Sequence, residues 1–218
     1  MTEAEWLECT NPERMLDFLR GKASGRKMSL FAVACCRKDH LCMRDCRSRR
    51  TIECTEGLIE WLASDDLDAP SVRDSYLMSA AAIYCMAVAW WADVGDMEAA
   101  SQYVRWVIQS LSESSQDTGI VLRSHAALLR CVFGNPFHPV ALESRWLVWN
   151  DGTIPKIAQA IYEQRIVPEG TLDNGVLKIL ADALEEAGCT DTNILEHLRG
   201  PGPHVRGCWP VDLCLGKA

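Results

Sequence analysis

An all-α fold follows from three features of the sequence. Helix-capping residues recur along the chain, apolar residues repeat at three- and four-residue spacings, and no segment alternates apolar with polar as a half-buried strand does. Thr2 with Glu5 has capping-box spacing, and Asn11 before Pro12 sets an N-cap against a proline at the first helical position. Met15, Leu16, Phe18 and Leu19 then fall on one side until Gly21 ends the turn. Ser24 caps a second segment whose core candidates are Met28, Leu30, Phe31, Val33 and Ala34. Residues 48–63 place Ile52, Leu58, Ile59 and Leu62 at helical spacing.

Pro70 opens a long alanine-rich helix that runs to Val94, Gly95 stops it, and Asp96 caps the next one. That next helix carries Ala99, Ala100, Tyr103, Val104, Trp106, Val107 and Leu111, so the two read as an αα-hairpin in which small residues allow close approach. The polar stretch 110–119, SLSESSQDTG, reads as a loop and as the place for any internal boundary. Helices follow over 120–133, 154–166, 176–187 and 193–199, with turns at GNPFHP and NDGTIP, a loop at VPEGTLDNG, a stop at Gly188 and a cap at Asp191. The expectation is one domain over 1–218, with about eight to ten helices in hairpin or bundle packing.

A chain of 218 residues can bury roughly 70% of its unfolded surface, and 48% hydrophobic residues supply the core, which excludes wholesale disorder. The longest apolar run, Leu77 to Ala92, spans about 24 Å as a helix against a hydrocarbon core of roughly 30 Å, so it reads as buried rather than membrane-spanning. The start, MTEAEWLECT, has no basic-then-apolar pattern of a secretory signal. Eleven cysteines without regular spacing read as reduced cytoplasmic thiols, most of them small core hydrophobes. The net charge of −8 argues against general affinity for nucleic acid. It conceals an asymmetry, because ten Lys and Arg stand against Asp39 and Asp45 between Arg20 and Arg50.

That basic segment holds one candidate site. Cys35, Cys36, His40, Cys42, Cys46 and Cys54 offer soft ligands for tetrahedral zinc, with Cys36–His40 and Cys42–Cys46 as i,i+4 pairs; Cys-x-x-Cys knuckles are missing, and core filler is the preferred reading. Arg47, Arg49 and Arg50 can neutralise phosphates, making 37–50 the route to nucleic acid as an alternative partner. A solvated face that docks on acidic residues elsewhere in the chain is preferred.

The second candidate is GPGPHVRGCW, residues 200–209. Gly200 as a left-handed C-cap and Pro201 end a helix, Pro203 keeps its predecessor extended, and His204 and Arg206 then point the same way as a small anion clamp. Pro210 opens a closing helix over 211–215 with Asp212 near its positive end, Gly216 stops it, and Trp209 anchors the tail. Cys208, His204 and Asp212 are the residues of a possible cysteine-dependent enzyme, but no catalytic or phosphate-cradling motif accompanies them. Asp182, Glu185 and Glu186 share a helix face whose opposite side is Ile179, Leu180, Ala183 and Leu184; amphipathicity explains them.

Three blocks of the sequence, MTEAEWLECTNPERMLDFLRGKASGRKMSLFAVACCR, LLRCVFGNPFHPV and ILADALEEAGCTDTNILEHLRGPGPHVRGCWPVDLCLGK, resemble a group of uncharacterised proteins from planctomycete bacteria of the Gemmata type. The resemblance implies a source and no activity. Where this chain has DHLCMRDC, the group carries a run closer to Ile-Trp-His-Leu-Leu without Cys42 and Cys46, which counts against a site built on those thiols. The reading is a non-enzymatic protein-interaction module of the cytoplasm, with no membrane contact and another protein as the partner. A nucleic-acid-contacting or zinc-binding protein using 35–54 is the alternative.

Overall fold

The computed structural model describes residues 1–38, 46–62, 96–113, 117–141 and 143–217. These form eleven α-helices: α1 (Glu3–Glu8), α2 (Pro12–Leu19), α3 (Gly25–Lys38), α4 (Cys46–Leu62), α5 (Met97–Glu113), α6 (Thr118–Phe133), α7 (Ser144–Val148), α8 (Thr153–Glu163), α9 (Asn174–Glu186), α10 (Thr192–Arg199) and α11 (Trp209–Leu215). The fold is all-α as expected; β pairing among the described residues is confined to isolated bridges at Ile166–Thr171 and Thr171–Val205. No described helix is long and apolar enough to cross a membrane. The long helix expected over 70–94, and with it the αα-hairpin, lies outside the described residues.

The chain divides into two compact units, Met1–Arg130 and Cys131–Ala218. The division falls inside α6. It does not fall in the polar stretch 110–119, much of which is helical: α5 continues to Glu113, and Asp117 caps α6 by accepting from the Ile120 amide at 3.0 Å. Exposed polar residues there mark the solvent side of helix ends, which composition does not distinguish from a loop.

In the first unit both parts of the Thr2–Glu5 capping box form, and Asn11 accepts from the amides of Glu13 and Arg14. Helix α3 is buried from Met28 through Arg37 because α4 and α5 both pack on it. Arg37 is itself inside, its guanidinium 2.7 Å from the Glu56 carboxylate of α4. The basic segment is thus a solvated face only in part. Arg105 of α5 reaches Asp17 of α2 at 2.7 Å, and Arg130 of α6 donates to the Trp6 and Cys9 carbonyls at the end of α1.

In the second unit α8 packs against α9 and α11, and α10 lies along α9. Asp173 caps α9 through the amides of Gly175 and Val176, and Asp191 caps α10 through those of Asn193 and Ile194. The buried side of α9 is Leu177, Leu180, Ala181, Ala183 and Leu184. Ile179, expected on that side, is exposed, since α8 and α10 cover an arc one position away from it. The acidic face has a specific partner: Arg199 of α10 lies 2.7 Å from Asp182 and 2.6 Å from Glu185.

Candidate metal centre

The last turn of α10 brings His197 toward the chain that follows it. Gly200 ends the helix in an extended conformation, φ −67°, ψ 165°, and not as the left-handed cap expected, because Pro201 holds its predecessor in the β region. Gly202, expected to be held extended by Pro203, instead has φ +93°, a conformation that glycine adopts without strain, and the chain runs extended only from His204. The Leu172 amide donates to the His204 carbonyl at 2.9 Å, and Val205 forms a bridge with Thr171. The chain then turns at Val205–Cys208, closed by the Cys208 amide on the Val205 carbonyl at 2.9 Å. Gly207 stands third in that turn with φ +91°, where a side chain is strained. Helix α11 starts directly after it, with Pro210 in its first turn and Gly216 closing it as expected.

This folding collects Cys131, His197, His204 and Cys208, with one ligand atom from each lying within 4.8 Å of all the others. Cys131, from the last turn of α6, His204 and Cys208 are buried, and His197 is half-buried. Cys208 Sγ is 3.3 Å from His197 Nε2 and 3.8 Å from His204 Nδ1. A tetrahedral zinc ion with ordinary Zn–S and Zn–N bonds sets a sulfur–nitrogen edge of about 3.6 Å, so both separations are close to coordinating geometry. Two thiolates and two neutral imidazoles balance a divalent cation, which suits a buried position. The cluster can hold a metal ion.

The tautomers follow from the surroundings. His204 Nε2 is 3.2 Å from the Gly200 carbonyl, which can only accept, so Nε2 carries the proton and Nδ1 presents its lone pair to the cluster. His197 faces the cluster with Nε2, its ring edge-on to His204 at 5.0 Å between centroids and 5.6 Å from Trp209.

Hydrogen bonds from Cys208, and then from His197 and His204, hold the Cys131 thiol well below its ordinary pKa despite burial. Burial, followed by the adjoining Cys131, pushes the Cys208 thiol well up. Burial opposes protonation of His204, but the hydrogen bond and charge of Cys131 outweigh it and raise that pKa. Metal binding by such a cluster would release the thiol protons.

Of the residues expected at the tail, His204 is a member of the cluster. Arg206 is engaged elsewhere, its guanidinium 5.2 Å from the Tyr162 ring centroid. Trp209 is the expected anchor. The Cys208–His204 pair is assembled, while the Asp212 carboxylate accepts from the Tyr162 hydroxyl of α8.

In the other candidate segment, Cys36 is buried in α3, and Arg49 and Arg50 lie on α4, half-buried and exposed. His40, Cys42 and the side chains of Cys46 and Arg47 lie outside the described residues, and with them the expected zinc set.

Sequence reasoning did not place Cys131 or His197 in a site. Cys131 sits among Leu128, Leu129 and Val132 on the apolar side of a helix, where a thiol reads as core. The usable signal was local, His197-x6-His204-x3-Cys208, with the fourth cluster member, Cys131, 66 positions before His197. No family model, no curated protein and no solved structure matches the chain.

Proposed function

We propose that the chain is a zinc-binding helical protein in which Cys131, His197, His204 and Cys208 hold a structural ion. The observation that carries this reading is the convergence of two thiols and two imidazoles, from one helix end, a second helix end and a loop, within 4.8 Å. The S2N2 donor set favours zinc, and four protein ligands leave no position open for water or substrate. A saturated site supports no turnover, which suits a non-enzymatic interaction module with another protein as its partner. The ion's part is to fix 197–208 to the end of α6. Eight free cysteines among the described residues suit a reducing compartment such as the cytoplasm.

The test is the native mass of the full chain, purified under reducing conditions without a metal-affinity tag, before and after a strong chelator. One zinc ion per chain, lost to the chelator together with ordered structure in the C-terminal unit, supports the reading. A metal-free chain that takes up no zinc and keeps its structure contradicts it.

A further inference from the structure

Cys208 carries its sulfur at the junction between the Val205–Cys208 turn and α11. It precedes α11 as an N-cap without a side-chain capping bond and follows a glycine with positive φ. Its sulfur must be held closely in place, because ligand atoms have to meet a metal within roughly 0.2 Å of the ideal bond length. One side chain is placed to do so. Tyr162, on α8 and buried, accepts at its hydroxyl from the Gly207 amide at 2.8 Å and donates to the buried carboxylate of Asp212.

The two partners flank the ligand. Gly207 immediately precedes Cys208, and Asp212 lies one helical turn after it, its amide donating to the Cys208 carbonyl at 2.9 Å. A single phenolic oxygen therefore holds the chain on both sides of the thiol. The Tyr162 ring is in turn held by the Arg206 guanidinium at 5.2 Å and the Lys217 ammonium at 5.5 Å from its centroid. Packing alone does not call for tyrosine, since phenylalanine fills nearly the same volume and buries no hydroxyl. Partners that orient ligands without touching the metal are a regular part of such centres.

Resting on the zinc reading above, we propose that Tyr162 is a positioning residue of the metal centre: its hydroxyl fixes the Val205–Cys208 turn so that the Cys208 sulfur stands at coordinating distance. Asp212 is its acceptor and keeps the hydroxyl oriented. Tyr162 touches no metal and acts only through Gly207 and Asp212.

The test compares full-length wild type, Tyr162→Phe and Leu180→Ala by zinc competition against a chromophoric chelator and by the absorption spectrum of each chain loaded with cobalt(II). Leu180 is a buried residue of α9 and controls for general loss of stability. Tyr162→Phe is expected to bind zinc roughly 10- to 100-fold more weakly, the usual effect of losing a group that orients a ligand, and to shift the cobalt bands away from a tetrahedral pattern. Leu180→Ala is expected to melt earlier yet keep near-wild-type affinity and bands. Wild-type affinity in Tyr162→Phe, or an equal loss in Leu180→Ala, overturns the positioning role while leaving the zinc reading intact. A wild-type chain that takes up no zinc overturns both. If Tyr162→Phe does not fold, Asp212→Asn carries the test by weakening the same hydrogen bond: a several-fold loss of affinity supports the proposal, and an unchanged affinity overturns it.

Discussion

Gly134 lies flat against the indole of Trp209: a Cβ built on Gly134 would stand 3.1 Å from Trp209 Cγ and 3.2 Å from Cδ1 and Cδ2. Gly134 also has φ +67°, so two separate reasons exclude a side chain at this position. The contact seats the first residue of α11 beside the end of α6, next to Cys131. Gly134→Ala is expected to cost about 2 kcal/mol from strain and crowding together, read as a lowered midpoint in chemical unfolding. An unchanged midpoint would mean that Trp209 moves aside freely and does not anchor the tail.

Removing a ligand should be felt as loss of metal before loss of fold. Cys131→Ala and Cys208→Ala are each expected to lower zinc content from one ion per chain to near zero after dialysis, because three remaining ligands bind far more weakly. Cys36→Ala is expected to leave zinc content at the wild-type level. The comparison by elemental analysis separates the observed cluster from the site suggested by the basic segment.

The Arg37–Glu56 pair, with side chains 3% and 2% exposed, makes a prediction for the first unit. Glu56→Ala removes the carboxylate 2.7 Å from a buried guanidinium and is expected to cost about 3–5 kcal/mol in equilibrium unfolding. The double variant Arg37→Met, Glu56→Leu is expected to recover most of that loss. A double variant no more stable than the single would show that the pair contributes more than mutual neutralisation.

Buried thiols that are not members of the Cys131–His197–His204–Cys208 cluster give a pH dependence. Burial, then the neighbouring Cys36, pushes Cys35 well up, and burial pushes Cys214 up to about 12. Both bind a proton more tightly folded than unfolded. The stability they contribute is full below the unfolded thiol pKa of about 8.5 and is lost as pH rises from there toward their raised folded values. Alkylation of the native chain at pH 8 is therefore expected to spare Cys35 and Cys214 and to label the half-buried Cys9 and Cys54, as mapped by peptide mass spectrometry. Rapid labelling of Cys214 would contradict its placement.

The elements that announce themselves locally were legible in the sequence. Asn11–Pro12, Asp96, Asp191, Pro210 and Gly216 each carry their own capping or stopping chemistry, and the structure uses them as read. Ile179, the end of α5 and the start of α6 were misjudged because burial and helix length there are decided by which helices dock, not by local pattern. The candidate metal centre was half legible. His204 and Cys208 stood out in an unusual string, but pairing them with Cys131 requires α6 to end where α10 and the 200–208 segment pass, and no short window of sequence holds that information.

The most direct measurement is zinc K-edge X-ray absorption on the metal-loaded full-length chain. The account predicts a first shell of two sulfurs at about 2.3 Å and two imidazole nitrogens at about 2.0–2.1 Å, with no further ligand. A shell of four sulfurs, a shell of nitrogen and oxygen alone, or an open position filled by water would contradict a closed Cys131–His197–His204–Cys208 site.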